Sequence, residues 1–439
     1  MRIALVHYRA GLMDGVSLEM EKWKKVLERM GNDVDIIAGN RSIKVDKVIE
    51  SIDFNGENYK IIRWNAFGGL KDLTKSELLE LIQIEKDRIL RDLENTLSEY
   101  DLIIPNNILS LGVHLPAVLA FTEYVENEKE KFFIGHHHDF WWEREYLREA
   151  SIPEISEILE RYCPPEFDNM KHVVINSIAQ EELKKRKGLD SFVVPNVMDF
   201  SLYHRYNLEE LNSEIRKEFN VGRGTIVVLQ ATRIIPRKAI ELSVDLVREM
   251  KKLSGDFVGK RLYNGEIFDG RIILAFSGMC ENETVEYKER ILKKAMDESV
   301  DILDMYTAVE DGRWDFMELY GIADLVTYPS ILEGWGNQLL EVILFKKPVV
   351  LFEYEVFKRD IKKYGLKYVS LGDEYEMVDG FVRIKDDLIE RAVHEVMEIL
   401  FDPKKYEEYV EKNFEIGRRE FSLEKLEELL KSILDVSDR

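Results

Sequence analysis

The stretch Asp324–Glu341, DLVTYPSILEGWGNQLLE, decides the fold. It reads as a strand over Leu325–Tyr328, a glycine-bearing turn, and a helix that begins near Asn337. An apolar run of this kind is buried on both faces, as in a parallel sheet. Gly334 and Gly336 permit close backbone approach in the turn. The start of the following helix suits an anion such as a diphosphate, because its first N–H groups and its dipole favour negative charge. Glu333 in the turn and Glu341 in the helix can accept hydrogen bonds from hydroxyls at two ends of one ligand. A sugar and a ribose flanking a diphosphate fit that spacing.

The same grammar recurs upstream in Ile226–Leu242, IVVLQATRIIPRKAIEL: strand, loop, helix. Arg233 and Lys238 fall in the loop, at the strand end where open α/β sheets gather their ligands. Two fixed cations there would neutralise a diphosphate leaving group. Met1–Val6 opens on a strand, and apolar runs at Val34–Ala38, Leu102–Ile104, Phe132–Gly135, Val173–Asn176 and Phe192–Pro195 follow. Ile272–Phe276, Val300–Leu303 and Pro348–Phe352 continue the series in the second half. Helical patterns such as Leu18–Met30 and Lys75–Ser98 separate them. Strand–helix alternation in both halves predicts two Rossmann-like, doubly wound α/β domains. The Pro/Asn turn at Val194–Asp199 places the boundary, giving domains over 1–197 and 198–405. The charged helical stretch 406–439 is left as a terminal segment.

In the first half, Phe133–Arg144, FIGHHHDFWWER, ends an apolar strand in three histidines and an aspartate. His138, adjoining Asp139, is the first candidate for substrate contact, with His137 and His136 behind it. Metal binding ranks lower, since consecutive strand residues point to opposite faces and cannot easily converge on one ion. Trp141 and Trp142 read equally as a stacking wall for an acceptor sugar and as packing. Gly15 allows close approach before the helix at Leu18, with Ser17 as its N-cap, and Asp14 is as readily a turn former as a contact. His114 begins another helix that could line the same site.

The chain has 439 residues, 45% hydrophobic and 33% charged, with formal net charge −22. Such a surface repels nucleic acid and anionic lipid at long range. Any phosphate site must therefore be local. The only cysteines, Cys163 and Cys280, build no disulfide framework and fit a reducing cytoplasm. No signal peptide or bilayer-spanning run is read, and the Lys/Glu richness leans toward a heat-adapted source.

Taken in order, these segments resemble the retaining glycosyltransferases of GT-B fold, family 4. Glu333 and Glu341 followed by Pro348-Val349-Val350 resemble that family's E-G-F-G…E…P-V-V stretch. Arg233 through Lys238 resembles its G-R…P-x-K-G segment, and Val194–Asp199 its I-P-N-G-V-D link. Val173–Ser177 resembles the strand and serine that close its N-terminal domain. Thr232 and Ala239 stand where the family has glycines, Trp335 where it often has Phe, and Lys346-Lys347 where it has small residues.

The resemblance implies two Rossmann-like domains facing across a cleft, the donor on the C-terminal one and the acceptor on the N-terminal one. It also implies that the terminal segment crosses back to the first domain. Glu341 would hold the ribose hydroxyls, Glu333 would face the donor hexose, and Arg233 and Lys238 would stabilise the departing diphosphate. Backbone amides near Trp335, Gly336, Asn337 and Gln338 would meet the distal phosphate, Gly15 would lie near the donor phosphates, and a histidine of the triplet would help place the reacting centre. The implied activity is hexosyl transfer, with retention, from a UDP-, GDP- or ADP-hexose to a sugar, polyol or glycan hydroxyl, with no metal or other cofactor. A sugar-nucleotide epimerase or hydrolase, and a non-catalytic sugar-nucleotide sensor, remain alternatives.

Overall fold

The computed structural model describes residues 1–12 and 14–435. These form two compact units, one of Met1–Val197 with the helix Leu423–Asp435, the other of Met198–Ser422.

The first unit holds a seven-stranded sheet built from β1 (Arg2–His7), β2 (Asp33–Ala38), β3 (Lys47–Val48), β4 (Leu102–Pro105), β5 (Phe132–His137), β6 (Met170–Val174) and β7 (Phe192–Val193). Their spatial order is β3-β2-β1-β4-β5-β6-β7, and every ladder is parallel. Order reverses between β1 and β4, so loops leaving those strands diverge and open a crevice at their carboxyl ends. One face of the sheet is covered by a core that includes Leu78, Ile89, Phe121 and Leu159. The other buries Trp23, Val26 and Leu27 against Leu423, Leu426, Leu430 and Ile433.

The second unit has a six-stranded sheet of β8 (Ile226–Gln230), β9 (Ile272–Phe276), β10 (Asp301–Asp304), β11 (Leu325–Tyr328), β12 (Val349–Leu351) and β13 (Val369–Ser370), in the order β10-β9-β8-β11-β12-β13. All its ladders are parallel as well. Here the order reverses between β8 and β11, which pair through Val228 with Leu325 and Leu229 with Val326. The loops after these two strands are the two segments singled out by sequence. A small antiparallel hairpin, Glu376–Val378 with Phe381–Arg383, completes the unit.

The chain returns to the first unit later than residue 406. The helix Pro403–Glu420 places Tyr406, Tyr409 and Val410 in the core of the second unit. Only Leu423–Asp435 packs on the first sheet. The apolar stripe of 403–420 is satisfied locally, so charge density along the segment did not mark the crossing. The last residues of the 406–439 stretch lie outside the described residues. Short β3 and β13 escaped the sequence reading because each carries a single apolar residue, unlike the equally short β7, which lies in the apolar run Phe192-Val193-Val194.

Candidate functional site

In the second unit, the loops after β8 and β11 meet through charge. Lys238 donates to one oxygen of Glu333, and Arg237 donates to the other at 3.1 Å and to the Leu332 carbonyl at 2.7 Å. The backbone joins them too, with Ile331 N donating to Arg237 O at 3.0 Å. Side chains of Lys238 and Glu333 are each only 9% exposed. Burial alone would raise the Glu333 carboxyl, and Lys238 and Arg237 more than offset it, holding it below the usual carboxylate range. Burial draws Lys238 below the ordinary lysine value against the pull of Glu333. The Lys238 ammonium also stands 5.6 Å from the centre of the buried Tyr328 ring.

Arg233 lies in the same loop but pairs with Glu281 at 2.6 Å. It is close enough to act on Lys238 electrostatically. The third cation on the turn, Arg237, was passed over by sequence reasoning, which weighed only the two flanking positions of the motif.

Gly336 precedes the helix Asn337–Leu344 with φ of 115°, and no side chain caps the helix. A Cβ at Gly336 would run into the hydroxyls of Tyr354 and Tyr328, so both backbone angle and space demand glycine. The Tyr354 hydroxyl donates to the Trp335 carbonyl at 2.8 Å. Trp335 itself turns inward, 4% exposed, edge-on to Phe421, so any contact it makes with a ligand is through its backbone. Gln338 is buried and donates to Thr327 O at 3.3 Å, tying the helix start to β11. Gly334 stays exposed in the turn. Glu341 accepts from the Tyr320 hydroxyl at 2.6 Å, and Tyr320 stacks on Phe345 with ring centres 5.0 Å apart. Burial, then the Glu341 charge, pushes the Tyr320 phenol far up, so it remains a donor.

Two departures from the family pattern acquire a geometry here. Ala239 sits at φ 46°, the left-handed region that a glycine adopts without strain. The Thr232 hydroxyl is taken up by Gln230 at 2.7 Å, and Gly278 packs so tightly on the Thr232 carbonyl that a Cβ there would overlap it.

In the first unit, the carboxyl ends of β1, β4 and β5 bring His7, Asn106, Asn107 and His138 together. The Asn106 amide donates to the carbonyls of Ile104 at 3.0 Å and Val6 at 3.4 Å. That fixes its oxygen toward His136 Nδ1 at 3.0 Å and His138 Nε2 at 3.3 Å. An amide oxygen only accepts, so both rings donate to it and His138 keeps its lone pair on Nδ1. The Asn107 side chain accepts from the backbone N–H of His138 at 2.7 Å and of Asp139 at 3.0 Å. His7 Nδ1 donates to the Asn106 carbonyl at 2.8 Å.

The three consecutive histidines do not share one role. His137 is fully buried and pairs with His172 at 3.0 Å. His136 is 2% exposed and stacked on Trp23 at 4.3 Å. Neither presents a side chain to a substrate, because pleating turns His137 away and Trp23 covers His136. His138 alone is half-buried. Burial pushes His138 down to about 3 and His136 and His137 well below the ordinary value, so all three are neutral near pH 7. Among the described residues, no group of three His, Cys, Asp or Glu side chains is disposed to hold a metal ion.

Trp142 is 6% exposed and stacks on Phe140 at 4.3 Å, with Trp141 edge-on at 5.8 Å. Packing thus claims Trp142, and Trp141 contributes to the same cluster. Asp14, rather than Ser17, caps the first helix: it accepts from Val16 N and Ser17 N at 3.1 Å, and Ser17 donates its hydroxyl back at 2.8 Å. Gly15 is the first residue of that helix, so an anion approaching it meets the Asp14 carboxylate. His114 is likewise a cap, accepting from Ala117 N at 3.3 Å.

Residues 212–415 match the family described as glycosyl transferases group 1. The chain is 50% identical to mannosylglucosylglycerate synthase of Thermotoga maritima, covering 98% of this chain and 99% of the relative. It is 38% identical to the protein of the same name from Petrotoga mobilis, over 96% of this chain and 99% of that one. The chain belongs to the glycosyl transferases group 1 family. A solved glycosyltransferase from Rickettsia africae has the same fold, with a TM-score of 0.64 at 13% identity, covering 99% of this chain and 97% of that one. The two parallel-sheet units are therefore Rossmann-like domains of the GT-B type, and the protein is a nucleotide-sugar glycosyltransferase. Within this family, the meeting of the β8 and β11 loops is the candidate donor site. No helix among the described residues is long and apolar enough to cross a membrane.

Proposed function

We propose that the protein transfers a mannosyl group from a nucleoside diphosphate mannose to a hydroxyl of glucosylglycerate, with retention at the anomeric carbon and without a metal. The observation that carries this reading is 50% identity along nearly the whole chain to a mannosylglucosylglycerate synthase. The site geometry supports it. Lys238, Arg237 and Arg233 supply the positive charge that a departing diphosphate needs, at the switch point of the second sheet. Their effect is electrostatic, strongest where charge develops in the transition state. Glu341, oriented by Tyr320, accepts from the ribose hydroxyls. Glu333 accepts from the donor hexose once the diphosphate takes over part of its cationic partnership. The leaving phosphate oxygen receives the acceptor proton as the acceptor attacks from the same face. On the first unit, His138 Nδ1 offers a neutral acceptor to a substrate hydroxyl.

The test is product analysis with GDP-mannose, UDP-glucose and ADP-glucose, each with glucosylglycerate and with no acceptor. The expected product is mannosylglucosylglycerate, its new linkage sharing the donor's anomeric configuration by NMR and its yield insensitive to chelator. Conversion or hydrolysis of the donor without acceptor would favour the epimerase or hydrolase reading. A thermal-shift screen adds donor identity: stabilisation by one nucleotide sugar that Glu341→Ala abolishes marks the donor.

A further inference from the structure

An acceptor with a carboxylate faces a protein of formal net charge −22. Long-range repulsion must be overcome by local cations. Most basic side chains around the carboxyl edge of the first sheet are already engaged by carboxylates or carbonyls. Arg144 is held by Asp139 at 2.5 Å, Arg41 by Glu50 at 2.7 Å and Lys44 by Glu21 at 2.8 Å. Arg148 donates to the Trp142 carbonyl at 2.7 Å.

Arg9 and Arg63 are different. Arg9 follows β1, two residues beyond His7, and is exposed. Its guanidinium lies 5.9 Å from the Phe54 ring centre, and it has no ion pair or side-chain hydrogen bond among the described residues. Arg63, on the helix Glu57–Ala66, is exposed as well. It donates one N–H to the Tyr59 hydroxyl at 3.4 Å, stands 5.5 Å from the Tyr146 ring centre, and also lacks a carboxylate partner among the described residues. The two guanidiniums flank one aromatic block. Phe54 stacks on Tyr59 at 5.0 Å, and Tyr59 on His114 at 4.8 Å. Burial raises the Tyr59 phenol, and Arg63 and Arg9 both act against that rise, so each is within electrostatic reach of the same hydroxyl.

The aromatic contacts account for where the guanidinium heads rest, at a modest energy for exposed sites. They do not discharge the positive charge, and a guanidinium has five donors in a fork that matches a carboxylate. Arg9 also acts on His7, which in turn acts on His138. Contacts connect the two ends: Phe54, beside Arg9, lies 4.7 Å from Tyr8, Tyr8 lies 5.4 Å from His7, and His7 and His138 both hydrogen-bond to Asn106.

We propose that Arg9 and Arg63 form the subsite for the acceptor's carboxylate, and so set the preference for a glyceric acid aglycone over a neutral one. The assignment rests on the acceptor reading given under Proposed function. Glucosylglycerol, in which the carboxylate is replaced by a hydroxymethyl group, is the neutral probe.

The experiment measures kcat/KM for glucosylglycerate and for glucosylglycerol in wild type, Arg9→Gln, Arg63→Gln and Arg9→Lys, at saturating donor. A lost charge-assisted hydrogen bond predicts that the acid-to-neutral ratio falls about 10- to 100-fold in each Gln variant, through acceptor KM. Arg9→Lys should recover part of the ratio, and added salt should lower it in wild type. Melting temperatures of the variants exclude misfolding as the cause. Wild-type turnover of glucosylglycerate with an unchanged ratio in both Gln variants overturns this assignment alone. No wild-type turnover of either acceptor, with donor binding intact, overturns the acceptor reading and the subsite with it.

Discussion

Lys238→Met is the sharpest probe of the donor turn. The substitution keeps the length of the side chain and deletes the charge that compensates Glu333 in a site where both groups are 9% exposed. Removing one partner of a buried pair costs about 3–5 kcal/mol in general. Arg237 remains on the other Glu333 oxygen but is 36% exposed, so it screens only part of the loss. A destabilisation of roughly 2–3 kcal/mol follows, which for a unit of this size is a fall in Tm of roughly 5–10 °C. The pH dependence gives the sign. Glu333 is held below its unfolded value, so its contribution is present above the unfolded carboxylate pKa and is lost as pH falls through the folded value. In the variant most of that contribution is gone, so the Tm gap to wild type should hold from pH 7 down to about 4.5 and narrow below it. Catalysis should fall by about 10²–10³ in kcat, since a preorganised charge at the leaving group is removed. The double variant Lys238→Met with Glu333→Gln should lose less stability than the two single variants added together. Calorimetry across that pH range is the assay. A gap that stays constant or widens at the acid end of that range, or additive losses, would show that the two side chains do not act as a pair.

Tyr320→Phe should cost about 1–2 kcal/mol by leaving Glu341 short of a buried donor, and should raise donor KM severalfold with less effect on kcat, as read by steady-state kinetics. Ala239→Gly should be neutral or stabilising by up to about 1 kcal/mol, because relief of left-handed strain outweighs the added freedom of the unfolded chain; denaturant midpoints check it. His138→Ala should lower kcat/KM for the acceptor with little change in Tm, whereas His137→Ala should lower Tm and leave the folded protein active, since only the latter strips a partner from buried His172. Six histidines, His7, His114, His136, His137, His138 and His172, are held below the ordinary value by burial. The unfolded chain therefore takes up more protons below pH about 6.5, and global stability should drop as pH falls from there, measurable by thermal melts.

Legibility followed the physics of each feature. Buried parallel strands announce themselves, because nothing polar survives on either face: Ile226–Gln230, Ile272–Phe276 and Leu325–Tyr328 are observed with the bounds the sequence implies. The two loops that meet at Glu333 were readable as well, since glycine, proline and charge cluster where two strands end. Side-chain direction was not. Three histidines in a row look like one chemical feature, yet the pleat sends His137 to His172 and leaves His138 facing outward. Asn106 and Asn107 were invisible as functional residues because an asparagine after a strand reads first as a turn former. Their part emerges only when β4 and β5 are set side by side. Arg233 was placed in its loop, but its pairing with Glu281 had no sequence signal, since that residue follows β9 and lies forty-eight positions away.

That pairing bears on how an acidic protein binds anions at all. In the turn where the β8 and β11 loops meet, each cation is matched to a carboxylate: Arg233 to Glu281, and Arg237 and Lys238 to Glu333. A diphosphate must therefore compete with the protein's own carboxylates, and its net gain is a difference between two sets of charge-assisted bonds. The exchange costs affinity, but it keeps a buried lysine from standing unpaired, a far costlier state. On the donor reading proposed above, the exchange would also free Glu333 to accept sugar hydroxyls as phosphate engages the cations, so that only a ligand carrying both groups would satisfy every member. A free phosphate would release the carboxylate without giving it a partner. On that reading, recognition would rest on the diphosphate and the hexose being joined in one molecule, which is a property of the donor and of neither product of its hydrolysis.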